Sequence, residues 1–106
     1  MRHSFNSKYS QQVYDLISSI PEGKVTTYGE IARTLKMSSP RTVGTILHFN
    51  PAPVVVPCHR VVNAQGKLAK EFGFGGSSAQ QHLLEAEGVG FVRGHVDLRK
   101  HFYGWS

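Results

Sequence analysis

The sequence predicts a single α+β domain, mostly helical, with a helix-turn-helix or winged-helix-like core. Three observations support this. An amphipathic stretch opens the chain, two short capped helices are joined by a tight break, and short valine-rich segments flank the chain's only cysteine. At 106 residues the chain has room for one modest hydrophobic core.

Residues Asn6 to Ile20 read as the first helix, with Tyr9, Val13, Leu16, Ile17 and Ile20 on one face at helical spacing. Asn6 or Ser7 can cap it, and Pro21-Glu22-Gly23 ends it in a turn. Val25-Thr26-Thr27 is a short extended piece. Thr26 or Thr27 then caps a second helix, Tyr28 to Lys36, with Glu30 placed for a reciprocal capping box. After the break KMSSP, a third helix starts at Pro40 behind a Ser38 or Ser39 cap and stops before Asn50-Pro51. Its buried side is Val43, Ile46 and Leu47. Two short helices so joined form a helix-turn-helix, and Arg41 lies near the N-terminal end of the second, where such helices contact DNA.

Val54 to Val56 and Val61-Val62 read as short strands or buried extended segments. A glycine-punctuated loop follows and carries Phe72 and Phe74. Ser77 or Ser78 then caps a last helix, Ala79 to Glu87, with Leu83 and Leu84 inward and Gly88 as its stop. The aromatic and basic tail can pack back on the domain or serve a partner.

Charge is distributed unevenly. The net charge is +5, and between Ile31 and Lys70 there are six basic residues and no acidic one. Such a block suits a polyanionic partner. One cysteine excludes an internal disulfide and any multi-cysteine zinc site. No apolar run is long enough to span a membrane. A reducing intracellular setting, cytoplasmic or nuclear, is the expected one.

The cysteine lies in Pro57-Cys58-His59-Arg60. A lone buried cysteine is most often a small core hydrophobe. A histidine and an arginine beside it are the residue types that can stabilise a thiolate and make it a nucleophile.

The motif PCHRVV, preceded by Asn50-Pro51 and the helix-turn-helix and followed by a glycine-rich loop and LLEAEGV, resembles the C-terminal domain of the 6-O-methylguanine-DNA methyltransferases. The resemblance runs from about Ser7 to Gly88. It implies that Cys58 accepts an alkyl group from the 6-oxygen of guanine in double-stranded DNA, once per molecule, with no metal or organic cofactor. It implies that Glu87, acting through His59 and a water, deprotonates Cys58. It also makes Asn50 the support of the turn carrying the nucleophile and Arg60 a structural residue. The target base must leave the stack to be reached. The resemblance assigns Arg41 to the gap it leaves and Tyr28 to the backbone and to protonation of the departing guanine. Thr27, Gly44, Arg33 and Lys36 join them on the DNA side, Gly44 permitting close approach. Pro57, Val61, Val62, Phe72 and Phe74 are then the pocket residues.

Three features depart from that family pattern. No additional N-terminal domain is expected. The glycine-rich loop reads Gly73-Phe74-Gly75-Gly76, without the family's tyrosine. The tail VDLRKHFYGW resembles the alkyltransferase-like proteins, compact sensors that bind alkylguanine and flag it for nucleotide excision repair. Those normally carry another residue where this chain has Cys58. Transfer is therefore the leading expectation and sensing the alternative. A monomer is expected. The third reading, a winged-helix transcription factor, would need no reactive thiol and would usually need a dimer surface to read half-sites.

Overall fold

The computed structural model describes residues 9–50, 55–69 and 76–105. The elements run α1 (Ser10–Ile17), β1 (Thr26–Thr27), α2 (Tyr28–Thr34), α3 (Pro40–His48), a 3-10 turn (Cys58–Arg60), β2 (Val61–Val62), α4 (Gly76–Ala86), β3 (Phe91–Val92), β4 (His95–Val96) and α5 (Leu98–His101). This is the expected α+β architecture. No described helix is long and apolar enough to cross a membrane.

Local chemistry explains the boundaries. Helix α1 starts at Ser10 with no side-chain cap; Asn6 and Ser7 lie outside the described residues. Helix α2 is capped by Thr27, whose Oγ1 accepts from the Glu30 amide at 3.1 Å. The reciprocal half of the expected capping box is absent, because the Glu30 carboxylate accepts from Arg33 and from the Trp105 amide instead. The end of α2 is a Schellman motif: Met37 N–H donates to Ala32 O and Lys36 N–H to Arg33 O. Lys36 therefore sits at φ +58°, in the left-handed region where glycine is usual. Helix α3 begins at Pro40 with Ser39 Oγ accepting from the Arg41 amide, as expected. Helix α4 begins at Gly76, so Ser77 and Ser78 lie within its first turn and are not its cap. Leu84 is fully buried while Leu83 is only half-buried.

Strands β1 and β2 pair in parallel, Thr26 with Val61 and Thr27 with Val62. A parallel pair needs a long crossover, and here it includes α2 and α3. Successive strand residues face opposite ways. Val61 thus joins a core with Val13, Ile17, Ile31, Val43 and Ile46, and Val62 joins another with Val25, Leu84, Val89 and Val96. The expected buried segment Val54 to Val56 is only partly supported. Val54 lies outside the described residues, and Val55 is 81% exposed.

The tail packs back on the domain. β3 and β4 form an antiparallel hairpin, and Val25 is bonded on both sides of Phe102, to His101 O and from the Tyr103 amide. His101 Nδ1 lies 3.1 Å from Gly23 O and its Nε2 accepts from Gly90 N–H, which assigns the ring proton to Nδ1. Trp105 donates from Nε1 to Ser19 Oγ and stacks edge-on to Tyr103 against the first core. Gly66 is required where this tail crosses the preceding loop: its φ is +81°, and a Cβ there would run into the Val96 carbonyl.

Candidate active site

The β1–β2 register builds the site. It sets Thr27, and so Tyr28 at the start of α2, beside the segment that follows Cys58. Cys58 opens the 3-10 turn, and its amide donates to Val56 O at 2.7 Å. Asn50, just past α3, donates from Nδ2 to the same Val56 carbonyl at 2.9 Å. Asn50 thus ties the end of α3 to the turn.

Cys58 is half-buried, and burial pushes its thiol pKa up; the Asn50 side chain and the cysteine's own amide hold that rise back. Burial also raises the Tyr28 pKa, with the charge of Cys58 adding to the effect. Tyr14 shows the same two causes in the same order, and its hydroxyl donates to Ile46 O at 2.9 Å. Two phenols therefore neighbour the thiol, and sequence reasoning missed Tyr14. Its helical spacing marks it only as the flank of an apolar face.

His59 is buried, and its Nε2 lies 2.7 Å from Glu87 Oε2. Glu87 also accepts from Arg60 Nε at 2.9 Å, from Arg60 Nη2 at 2.8 Å and from the Gly23 amide at 3.3 Å. Burial pushes the Glu87 pKa up, but the Arg60, His59 and Gly23 donors outweigh it and hold the carboxyl below its usual range. An ionised Glu87 can only accept, so His59 Nε2 carries the ring proton in neutral imidazole and Nδ1 holds the lone pair. That Nδ1 is buried with no hydrogen-bond partner among the described residues. Arg60 also donates from Nη1 to Ile20 O at 2.8 Å.

The other assignments divide. Arg41 is exposed in the first turn of α3, and no hydrogen bond to its guanidinium is seen among the described residues. A cation there opposes the helix dipole. A Cβ on Gly44 would stand 4.0 Å from the Tyr28 ring, so Gly44 brings α3 close to Tyr28. Lys36 is exposed. Arg33, with its side chain 60% exposed, donates to Glu30 and to Trp105 O. Val61 and Val62 are both fully buried, so they wall the cores rather than line a pocket mouth. Pro57 is buried beside Cys58. Phe72 and Phe74 lie outside the described residues. No group of three or more potential metal ligands occurs among the described residues.

The chain resembles several known proteins. Residues 8–89 match the family model described as 6-O-methylguanine DNA methyltransferase, DNA binding domain. The chain is 42% identical over 84 residues to the methylated-DNA–protein-cysteine methyltransferase of Methanothermobacter thermautotrophicus, covering 78% of this chain and 46% of that protein. It spans about half the length of most of the methyltransferases it matches. It is 44% identical over 104 residues to alkyltransferase-like protein 1 of Schizosaccharomyces pombe, covering 93% of this chain and 95% of that protein. The structure of S. pombe Atl1 in complex with damaged DNA containing O6-carboxymethylguanine superposes with a TM-score of 0.76 at 38% identity, over 100% of this chain and 99% of that one. The Mycobacterium tuberculosis O6-methylguanine methyltransferase gives 0.69 at 37%, over 78% of this chain and 50% of that one. The chain belongs to the 6-O-methylguanine DNA methyltransferase family.

Proposed function

We propose that the protein repairs 6-O-alkylguanine in double-stranded DNA by transferring the alkyl group to Cys58, acting as a monomer on a flipped-out base. The observation that carries this is the pairing of a half-buried thiol with an adjacent histidine whose proton is placed by Glu87. The Cys58 proton passes to His59 Nδ1, directly or through one water. The sulfur pair forms a bond to the alkyl carbon as the carbon–O6 bond breaks, and its electrons leave with guanine. Tyr28 donates a proton to the departing base and is reprotonated by way of the imidazolium and solvent. The net change is thiol plus alkylguanine to thioether plus guanine. A thioether has no ready hydrolytic route, so each molecule acts once. Arg41 fills the space the base vacates, and the exposed cation at Lys36 contacts phosphate.

One observation favours a second reading, lesion binding without transfer, as a flag for nucleotide excision repair proteins. Alkyltransferase-like protein 1 aligns along 93% of the chain, including the tail beyond residue 89 where the family match ends.

The test is intact mass after incubation with an oligonucleotide carrying one 6-O-methylguanine. The expected result is a methyl in place of one hydrogen, mapped to Cys58, with the DNA returned to guanine. Cys58→Ala should keep lesion binding and lose transfer. An unchanged mass with tight lesion-selective binding establishes the sensor reading instead.

A further inference from the structure

Helix α4 grips the nucleophile turn at two points, and only one of them is Glu87. Gln80, Leu84 and Glu87 stand at spacings of four and three residues, hence on one face of α4 and its immediate C-terminal end. Leu84 fills the second core between them. Gln80 is fully buried and has all of its polar atoms engaged. Its Nε2 donates to His59 O and to Val61 O, both at 3.0 Å, and its Oε1 accepts from the Ala69 amide at 2.8 Å. His59 is therefore held at both ends, the backbone carbonyl by Gln80 and the imidazole by Glu87. The same amide fastens Ala69, in the segment that leaves β2.

We propose that Gln80 is a positioning residue for the thiol chemistry, fixing the backbone of His59 and Val61 so that the His59 ring meets Glu87 on one side and serves Cys58 on the other. The side chain is suited to this by its donor inventory. The task needs two N–H donors on one atom and one acceptor on its neighbour, at the end of a two-carbon stem. Glutamine supplies both; ionised glutamate lacks the donors, and methionine has neither an N–H donor nor more than a weak acceptor. Deleting the donors leaves two buried carbonyls short of a partner and frees the turn to rotate. The inference deepens the transfer reading and rests on it for its biological meaning, but its test uses the thiol alone.

The experiment is the pH profile of Cys58 alkylation by iodoacetamide, which needs no DNA, measured with thermal unfolding on the full chain. Gln80→Met removes all three bonds. Gln80→Lys keeps donors for the two carbonyls and gives up only the bond to Ala69. Leu84→Val destabilises the same helix face without touching the turn and serves as the control. Positioning predicts that Gln80→Met slows alkylation at neutral pH at least about tenfold and moves the profile to higher pH, while Gln80→Lys stays within about twofold of the parent. Leu84→Val should lower the melting temperature with the profile unmoved. An unshifted profile in folded Gln80→Met overturns the proposal, and so does a Gln80→Lys profile as impaired as the methionine variant's. Should the methionine variant not fold, the lysine variant decides alone, because retained reactivity requires only the donors. If the parent alkylates normally with iodoacetamide but takes no methyl from lesion DNA, the transfer reading fails while the assignment of Gln80 stands on its own profile.

Discussion

Replacing Glu87 by glutamine tests the cluster around the nucleophile most directly. The carboxylate accepts four hydrogen bonds, one from His59, two from Arg60 and one from the Gly23 amide. Side-chain exposure is only 12% for Glu87 and 16% for Arg60. Glutamine keeps the size and one acceptor but turns an amide N–H toward donors and leaves the Arg60 charge without its counter-ion. Breaking a buried pair from one side costs about 3–5 kcal/mol. The residual exposure places this cluster near the lower end, at about 3 kcal/mol. For a domain of this size that is a fall in Tm of about 12–24 °C. The pH dependence has a definite sign. The native carboxyl titrates below its unfolded value of about 4.3. The unfolded chain therefore takes up the proton first as pH falls. The stabilisation is complete above that unfolded value and disappears as pH drops through the native one. Urea unfolding of parent and Glu87→Gln from pH 7 down to pH 3 should show a gap that is widest at neutral pH and narrows below about pH 4. A gap under about 1 kcal/mol at pH 7, or one that does not narrow, would refute the assignment of Glu87 as the ionised hub of this cluster.

Three further outcomes follow from the same geometry. Lys36→Gly should raise stability by about 0.5–1 kcal/mol in chemical denaturation, because φ +58° is strained for lysine, and should reduce the salt slope of duplex binding by about one ion. Asn50→Ala should cost about 1 kcal/mol through the lost bond to Val56 O and raise the apparent pKa of Cys58, read from thiol alkylation against pH; an unmoved pKa would remove Asn50 from the site. Arg41→Ala should weaken base flipping, followed with a fluorescent base analogue opposite the lesion, more than it weakens duplex binding; equal losses would make Arg41 a phosphate contact.

Much of this protein could be read before folding it. The helix-turn-helix followed from helical spacing, from Pro40 at a first helical turn and from local caps at Thr27 and Ser39, because a cap bonds an amide two or three residues away. The motif around Cys58 carried the nucleophile, its histidine and its arginine, since these are adjacent in the chain. Long-range partners were a different matter. Arg33 reads only as one member of a basic block until the tail brings the Trp105 carbonyl to it across 72 residues. Val61 and Val62 look like neighbours of a pocket until pairing with β1 turns them into two opposite cores. Gln80 is an ordinary polar residue in an amphipathic helix until α4 docks on the nucleophile turn and its amide donates to two backbone carbonyls, those of His59 and Val61. Local bonding and short motifs are written in neighbouring residues and survive in a string of letters. Which buried polar group meets which partner depends on how the helices dock, and that was decided only by the tertiary structure.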